Sequence, residues 1–218
     1  MDTVTTNLPG SSRMASDERR DQILHIAMRL FSERGFRGTT TKEIAQAAGV
    51  SEAMVFRHFA NKDELYHAII DHKACNQTDI KTPLEKMIEL AADKDDFKLF
   101  HGIALNALNK HAADPNFMRL LIYAALEGHE LAQFFFENFV VEVYHFLGSY
   151  IEERQREGIF RKDLEPKVIV RSFIGMIMHH SLNNNLWDKS QKLLPISNED
   201  AARQFTEILL NGVLTEKQ

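Results

Sequence analysis

Between residues 40 and 59 the chain reads TTKEIAQAAGVSEAMVFRHF, and its second half carries side chains that suit neither a core nor a plain surface. Wound as a helix, residues 52–59 turn Val55 and Phe59 inward and leave Glu52, Ala53, Met54, Arg57 and His58 facing elsewhere. A carboxylate, a methyl, a thioether, a guanidinium and an imidazole together offer acceptors, donors and apolar contact. That is the chemistry with which a helix reads base edges in a nucleic-acid groove. Lys62 follows in the first turn of the next helical stretch, where its cation opposes the helix dipole unless an anion such as a phosphate lies close.

The other chemistry-bearing residues make no catalytic pattern. The chain has no phosphate-binding glycine loop, no nucleophile motif and no HExxH or HxE…CxxC zinc set. His179 and His180 are neighbours, so on a helix they point about 100° apart, and no i, i+4 histidine pair accompanies them. Neither a metal site nor a cofactor is expected. The stripe Asn138, Glu142, His145, Ser149 runs on into Glu152 and Arg156 and reads as a solvated face. A helical enzyme is therefore the weakest competing class. An effector-independent DNA-organising protein is another, but it favours a more basic chain and does not need residues 77–218.

The elements that would position residues 52–62 are helical. Five prolines among 218 residues, no sustained alternation of β-branched side chains, and apolar positions three and four apart predict an all-α fold. A first helix starts near Ser16, presents Ile23, Ala27, Leu30 and Phe31 on one face, and ends at Gly35. Thr40 and Glu43 form the capping-box pattern for a helix beginning at Thr41. Gly49 suits a left-handed turn and Ser51 caps the next helix, which together make a helix-turn-helix. Asn61 and Glu64 repeat the capping pattern for a helix over residues 62 to about 76.

Net charge is −5, from 26 Lys plus Arg against 31 Asp plus Glu. Residues 1–76 hold ten of each sign, so residues 77–218 carry the whole imbalance and any phosphate contact is local to the N-terminal part. Cys75 is the single cysteine, which excludes an internal disulfide and fits a reducing cytoplasm. No run approaches the roughly twenty apolar residues that span a bilayer, so no membrane segment is expected. Residues 1–15 are small, polar and turn-prone, and read as a disordered tail in which Met14 is a second candidate start.

Residues 16–76 resemble the DNA-binding domain of the TetR family of bacterial transcriptional regulators. The motifs RRDQILHIAMRLFSERGF, TTKEIAQAAGVS and FRHFANKDEL occur in order and without gaps. The resemblance implies an all-helical homodimer with a three-helix head, residues 16–76 including a connecting helix. It also implies a helical-bundle body, residues 77–218, that dimerises and often binds a small effector. Family roles carry over onto Thr40 and Lys42, onto Ser51, Glu52, Ala53 and Met54 for bases, and onto Arg57, His58 and Lys62 for phosphates. Phe56 stands where a phosphate-binding tyrosine is frequent, and Glu52 where a lysine is common. The expected partners are double-stranded operator DNA, a second copy of the chain, and a small hydrophobic or aromatic effector that releases the operator.

Within the body, a helix over residues 96–112 places Phe100, Ile103, Ala104, Ala107, Leu108 and His111 on one stripe. The run from Pro166, KVIVRSFIGMIMHHSL, is apolar nearly all round, and residues 199–214 carry Ala202, Phe205, Leu209 and Val213 on one face. These two helices are read as a symmetric four-helix seam using Ile174, Met178, Phe205, Leu209 and Val213. The candidate effector contacts are Phe100, His111, Phe117, Phe135, Phe139, Met178 and His179. His111 and His179 are chosen because each interrupts an apolar stripe, where a polar group needs a partner.

Overall fold

The computed structural model describes residues 10–75 and 82–215, and the named elements among them are helices. Helix α1 (Gly10–Arg34) opens ahead of the Ser16 expected from the caps; the first part of the expected tail, residues 1–9, lies outside the described residues. Then come α2 (Thr41–Ala48), α3 (Glu52–His58) and α4 (Lys62–Cys75). The chain continues through α5 (Pro83–Ala91), α6 (Asp96–Ala113), α7 (Pro115–Leu126) and α8 (Glu130–Phe135). A π-helical turn, Phe136–Val140, leads into α9 (Val141–Arg156); α10 (Pro166–Leu182) runs into a second π turn, Asn183–Trp187, before α11 (Asn198–Val213). No helix among the described residues is long and apolar enough to cross a membrane.

The helices form two compact units. One takes in the described residues of Met1–Gln77 together with Arg119–Ala132; the other takes in those of Thr78–Met118 and Gln133–Gln218. A single cut after residue 76 was expected, so the return of residues 119–132 to the first unit is a departure from the sequence reading. It has a physical cause in Glu127 and His129, described below.

In the first unit α1 packs on α2 and α4, and α2 on α3. Ile23, Ala27, Leu30 and Phe31 are buried, as the periodicity of α1 predicts. The centre is aromatic: Tyr66 meets Phe31 at 4.7 Å and Phe36 at 5.0 Å between ring centroids. His129 closes this cluster, edge-on to Phe36 at 4.4 Å and to Tyr66 at 4.9 Å. Gly35 takes a left-handed φ of 73°, which favours glycine, and a Cβ there would also push the Glu127 carboxylate aside.

In the second unit α6 lies against α11 and α10, and α9 against α10. Phe100 and Phe173 meet edge-to-face at 5.1 Å at the centre of its core. An ion pair fixes α6 to α9: Arg154 Nε and Nη2 donate to the two oxygens of Asp96 at 2.9 and 2.8 Å, and the Tyr150 hydroxyl adds a third bond at 2.7 Å. Burial pushes the Tyr150 phenol above its ordinary value, and the adjoining carboxylate adds to that shift.

Candidate nucleic-acid interface

The local rules that set α2 and α3 act as their sequence requires. Thr40 Oγ1 accepts from the Glu43 N–H at 3.2 Å, and the Glu43 carboxylate accepts from the Thr40 N–H at 2.9 Å. That bond first, and Arg34 less, hold the Glu43 carboxyl below its usual range. Gly49 adopts φ 66° and ψ 30°, a conformation that L side chains reach only with strain, and its N–H closes onto Ala45 and Gln46. Ser51 Oγ then accepts from the Met54 N–H at 3.2 Å and starts α3. Val55 and Phe59 are buried, Glu52, Ala53 and Arg57 are exposed, and Met54 and His58 are half-buried. Phe56 is 45% exposed on the same short helix. Lys42 and Thr40 are exposed at the start of α2.

Two cations missed by the sequence reading join this region. Arg19 Nη1 donates to Gln22 Oε1 at 2.6 Å, and Gln22 Nε2 donates to the Ala48 carbonyl at 3.3 Å, which ties the middle of α1 to the turn before α3. Arg20 lies 5.1 Å over the Phe59 ring. Partial burial lowers the His58 imidazole, and Arg57, Arg20 and Arg19 lower it further. His58 is thus mainly neutral near pH 7, a hydrogen-bond donor rather than the cation its place in the motif suggests. Arg19 and Arg20 stand some thirty residues or more before α3, and only tertiary packing brings them there.

Lys62, expected at a phosphate, is already engaged within the protein: its ammonium donates to the carbonyls of Phe36 at 2.9 Å and Thr39 at 3.0 Å and lies 4.0 Å from the Phe36 ring centroid. Protein carbonyls and a ring face supply the negative potential that a DNA phosphate was expected to provide. Beside it, Glu127 accepts from the Phe36 N–H at 3.0 Å and the Arg37 N–H at 3.4 Å. The turn between α1 and α2 is therefore held from both sides by residues far along the chain, which local sequence patterns do not reveal.

The body residues chosen as effector contacts do not form one set. Phe100 is a fully buried core residue. Phe117, Phe135 and Phe139 make an aromatic row, with centroids 5.9 and 5.3 Å apart, leading into the first π turn. His111 Nδ1 lies 2.8 Å from Ser181 Oγ, and burial lowers its imidazole. His179 is exposed on α10 and bonds to Asn183; the buried histidine is His180, against Phe205 and Asn184. Met178 is half-buried. An open groove of about 650 Å³ lies elsewhere, between α5 and α9, lined by Ile88, Ala91, Phe146 and Tyr150 among others and by none of the expected contacts.

The residues expected at a seam differ in exposure. Leu209 and Val213 are 6% and 4% exposed and belong to the core of their own unit. Ile174, Met178 and Phe205 are half-buried, whereas Val168 on α10 is 59% exposed and Ile208 on α11 61% exposed. A helix with two apolar stripes satisfies either assignment by period alone.

Residues 23–69 match the family model described as bacterial regulatory proteins, tetR family. The chain is 48% identical over 59 residues to an uncharacterized HTH-type transcriptional regulator, YvkB, of Bacillus subtilis, an alignment covering 27% of this chain and 31% of that protein. It is 28% identical over 212 residues to the HTH-type transcriptional repressor KstR2 of Mycobacterium tuberculosis, covering 92% and 95% of the two chains. It spans 31% to 60% of the length of several other curated relatives it matches. A shared fold is evident with NalD, the secondary repressor of the MexAB-OprM multidrug efflux pump in Pseudomonas aeruginosa, at a TM-score of 0.70 and 20% identity over 94% of this chain and 100% of that one. Capped helices around a left-handed glycine, in the stretch that the family model matches, lead to one assignment: residues 23–69 are a helix-turn-helix segment of the tetR type of bacterial regulatory proteins.

Proposed function

We propose that this protein is a ligand-responsive transcriptional repressor of the cytoplasm, not an enzyme, that binds a pseudo-palindromic operator as a homodimer. The observation that carries the reading is α3 itself: a short helix capped by Ser51, buried through Val55, with Glu52, Ala53 and Arg57 exposed and with Lys42, Arg19 and Arg20 on the neighbouring helices. Each protomer places α3 in a major groove, the two grooves one helical turn apart. Ser51 to Met54 meet bases; Thr40, Lys42, Arg57 and His58 meet the backbone, joined by Arg19 and Arg20. The DNA-binding part comprises residues 16–76 with 119–132, and the remainder of residues 77–218 holds the effector and the dimer seam.

The test is binding to operator duplex as a function of salt. Replacing Lys42 with alanine weakens binding to all sequences and flattens the slope of log affinity against log salt by about one unit for each phosphate no longer neutralised, about two per dimer. Lys62→Ala behaves differently: it removes the donor from the Thr39 carbonyl, leaves the Phe36 carbonyl only the 3.4 Å bond from the Thr39 N–H, and lowers folding stability by roughly 1–2 kcal/mol while leaving the slope nearly unchanged. An unaltered slope in Lys42→Ala, or no DNA binding by the intact chain, would sink the assignment.

The effector is a moderately hydrophobic molecule with an aromatic or acyl group. The partly exposed row Phe117, Phe135, Phe139 supports this, because π turns are frequent at functional sites and one follows Phe135 directly. Screening medium-chain fatty acids and aromatic carboxylic acids by thermal melting is expected to find compounds that raise the melting temperature and release the operator. Phe135→Ala should blunt both responses and leave ligand-free DNA binding intact. Absence of stabilisation and release across both classes would overturn the effector reading.

A further inference from the structure

The first residues of α2 and α3 are joined side chain to side chain: Thr41 Oγ1 donates to Glu52 Oε1 at 2.6 Å. Glu52 is exposed and Thr41 half-buried, so the carboxylate is held at the outer surface of the helix-turn-helix rather than drawn into its core. Its second oxygen, Oε2, makes no hydrogen bond among the described residues. The neighbouring side chains offer little competition for base reading. Ser51 Oγ already caps the Met54 N–H, Ala53 presents a methyl and Met54 a thioether. Glu52 is therefore the strong acceptor at the front of α3.

A carboxylate at this surface is repelled by the phosphates that Lys42 and Arg57 attract. It is favourable in a major groove where it meets an amino group, and cytosine N4 is the amino group that carboxylates accept from. From the fixed carboxylate we infer that Glu52, positioned by Thr41, specifies cytosine at one symmetric place in each operator half-site. Thr41 is the positioning residue: its hydroxyl occupies Oε1 and aims Oε2 outward, so the carboxylate does not have to be ordered when DNA binds. Ala53 and Met54 supply apolar contact, suited to thymine methyl groups, beside it. This inference rests on the DNA-binding reading proposed above.

The experiment is selection of the full-length chain against a randomised duplex pool, followed by affinities for every single-base variant of the selected operator. Wild-type protein should return a half-site with cytosine at a position where substitution weakens binding about tenfold. Glu52→Ala should flatten that position alone, and Glu52→Gln should move its preference to adenine, whose N6 and N7 pair with a side-chain amide. Thr41→Val keeps the shape and removes the hydroxyl; it should reduce the preference about threefold at the same position, and Thr41→Ser should restore it. A preference profile unchanged in Glu52→Ala overturns the inference while leaving the DNA-binding reading intact. A flattened position in Glu52→Ala with no change in Thr41→Val overturns the positioning role. Failure of the wild-type chain to retain any duplex overturns both readings.

Discussion

Ile208→Asp is expected to yield a folded monomer whose operator affinity is reduced by two to three orders of magnitude. Ile208 is 61% exposed on the outer side of α11, so a carboxylate there meets water in the single chain and disturbs none of its core. The proposed dimer covers that side. Gly175 on α10 and Gly212 on α11, each with open space where a Cβ would stand, leave room for a second helix pair to approach. By two-fold symmetry the variant places two like charges in one seam. An unpaired buried charge costs about 3–5 kcal/mol, which corresponds to roughly 150- to 5,000-fold in an equilibrium constant. Sedimentation equilibrium and circular dichroism read the two halves of the expectation. A stable Ile208→Asp dimer would move the seam elsewhere, and an unfolded variant would contradict the exposure of Ile208. Leu209→Asp serves as the contrast: it buries a charge in the protomer's own core and is expected to unfold the chain.

Arg154→Ala is expected to lower folding stability by about 3–5 kcal/mol, because it strands a buried carboxylate. The side chains of Arg154 and Asp96 are each 12% exposed, and their two hydrogen bonds join α9 to the first turn of α6. Asp96→Ala should be comparably damaging, since it leaves the guanidinium without its bidentate partner; Glu157 and the Phe160 ring cover it only in part. The paired replacement Arg154→Met with Asp96→Leu should recover most of the stability, as hydrophobic substitutes for buried ion pairs generally do. Urea unfolding of the three variants beside the wild type checks this order of stabilities. The exposed pair of Lys94 with Glu153, by contrast, should register little or nothing when either partner is removed.

What the sequence discloses and what it withholds follow the range of the interactions involved. The Thr40–Glu43 box, the left-handed Gly49 and the Ser51 cap all act within a few residues, so residue type and spacing predict each one. The inward face of α1 is likewise a matter of period. Lys62 is different: its acceptors, Phe36 and Thr39, lie 26 and 23 residues away, and nothing near Lys62 announces them. Which of His179 and His180 turns inward is hidden for another reason. Adjacent helical positions differ by about 100°, and on a helix apolar nearly all round no polar face tells which of the two points inward. Leu209 and Ile208 pose the same problem on α11. Thr41 gave no hint of its bond to Glu52, because the Gly49 turn decides that the starts of α2 and α3 meet.

His129 and Glu127 give the first unit a temporal property. Its aromatic centre, Phe31, Phe36 and Tyr66, is made early on the chain, but the imidazole that completes it and the carboxylate that holds the Phe36 N–H arrive about ninety residues later. During synthesis the reading helices therefore emerge well before the segment that locks them. At about 5–20 residues per second the interval is several seconds, long compared with helix formation in microseconds. Bringing residues 36 and 127 together also requires closing a long loop, whose entropic cost is met only once the intervening helices have begun to order. The helix-turn-helix is thus the first part of the protein to be made and among the last to be made firm, so its final rigidity reports on the folding of chain that follows it.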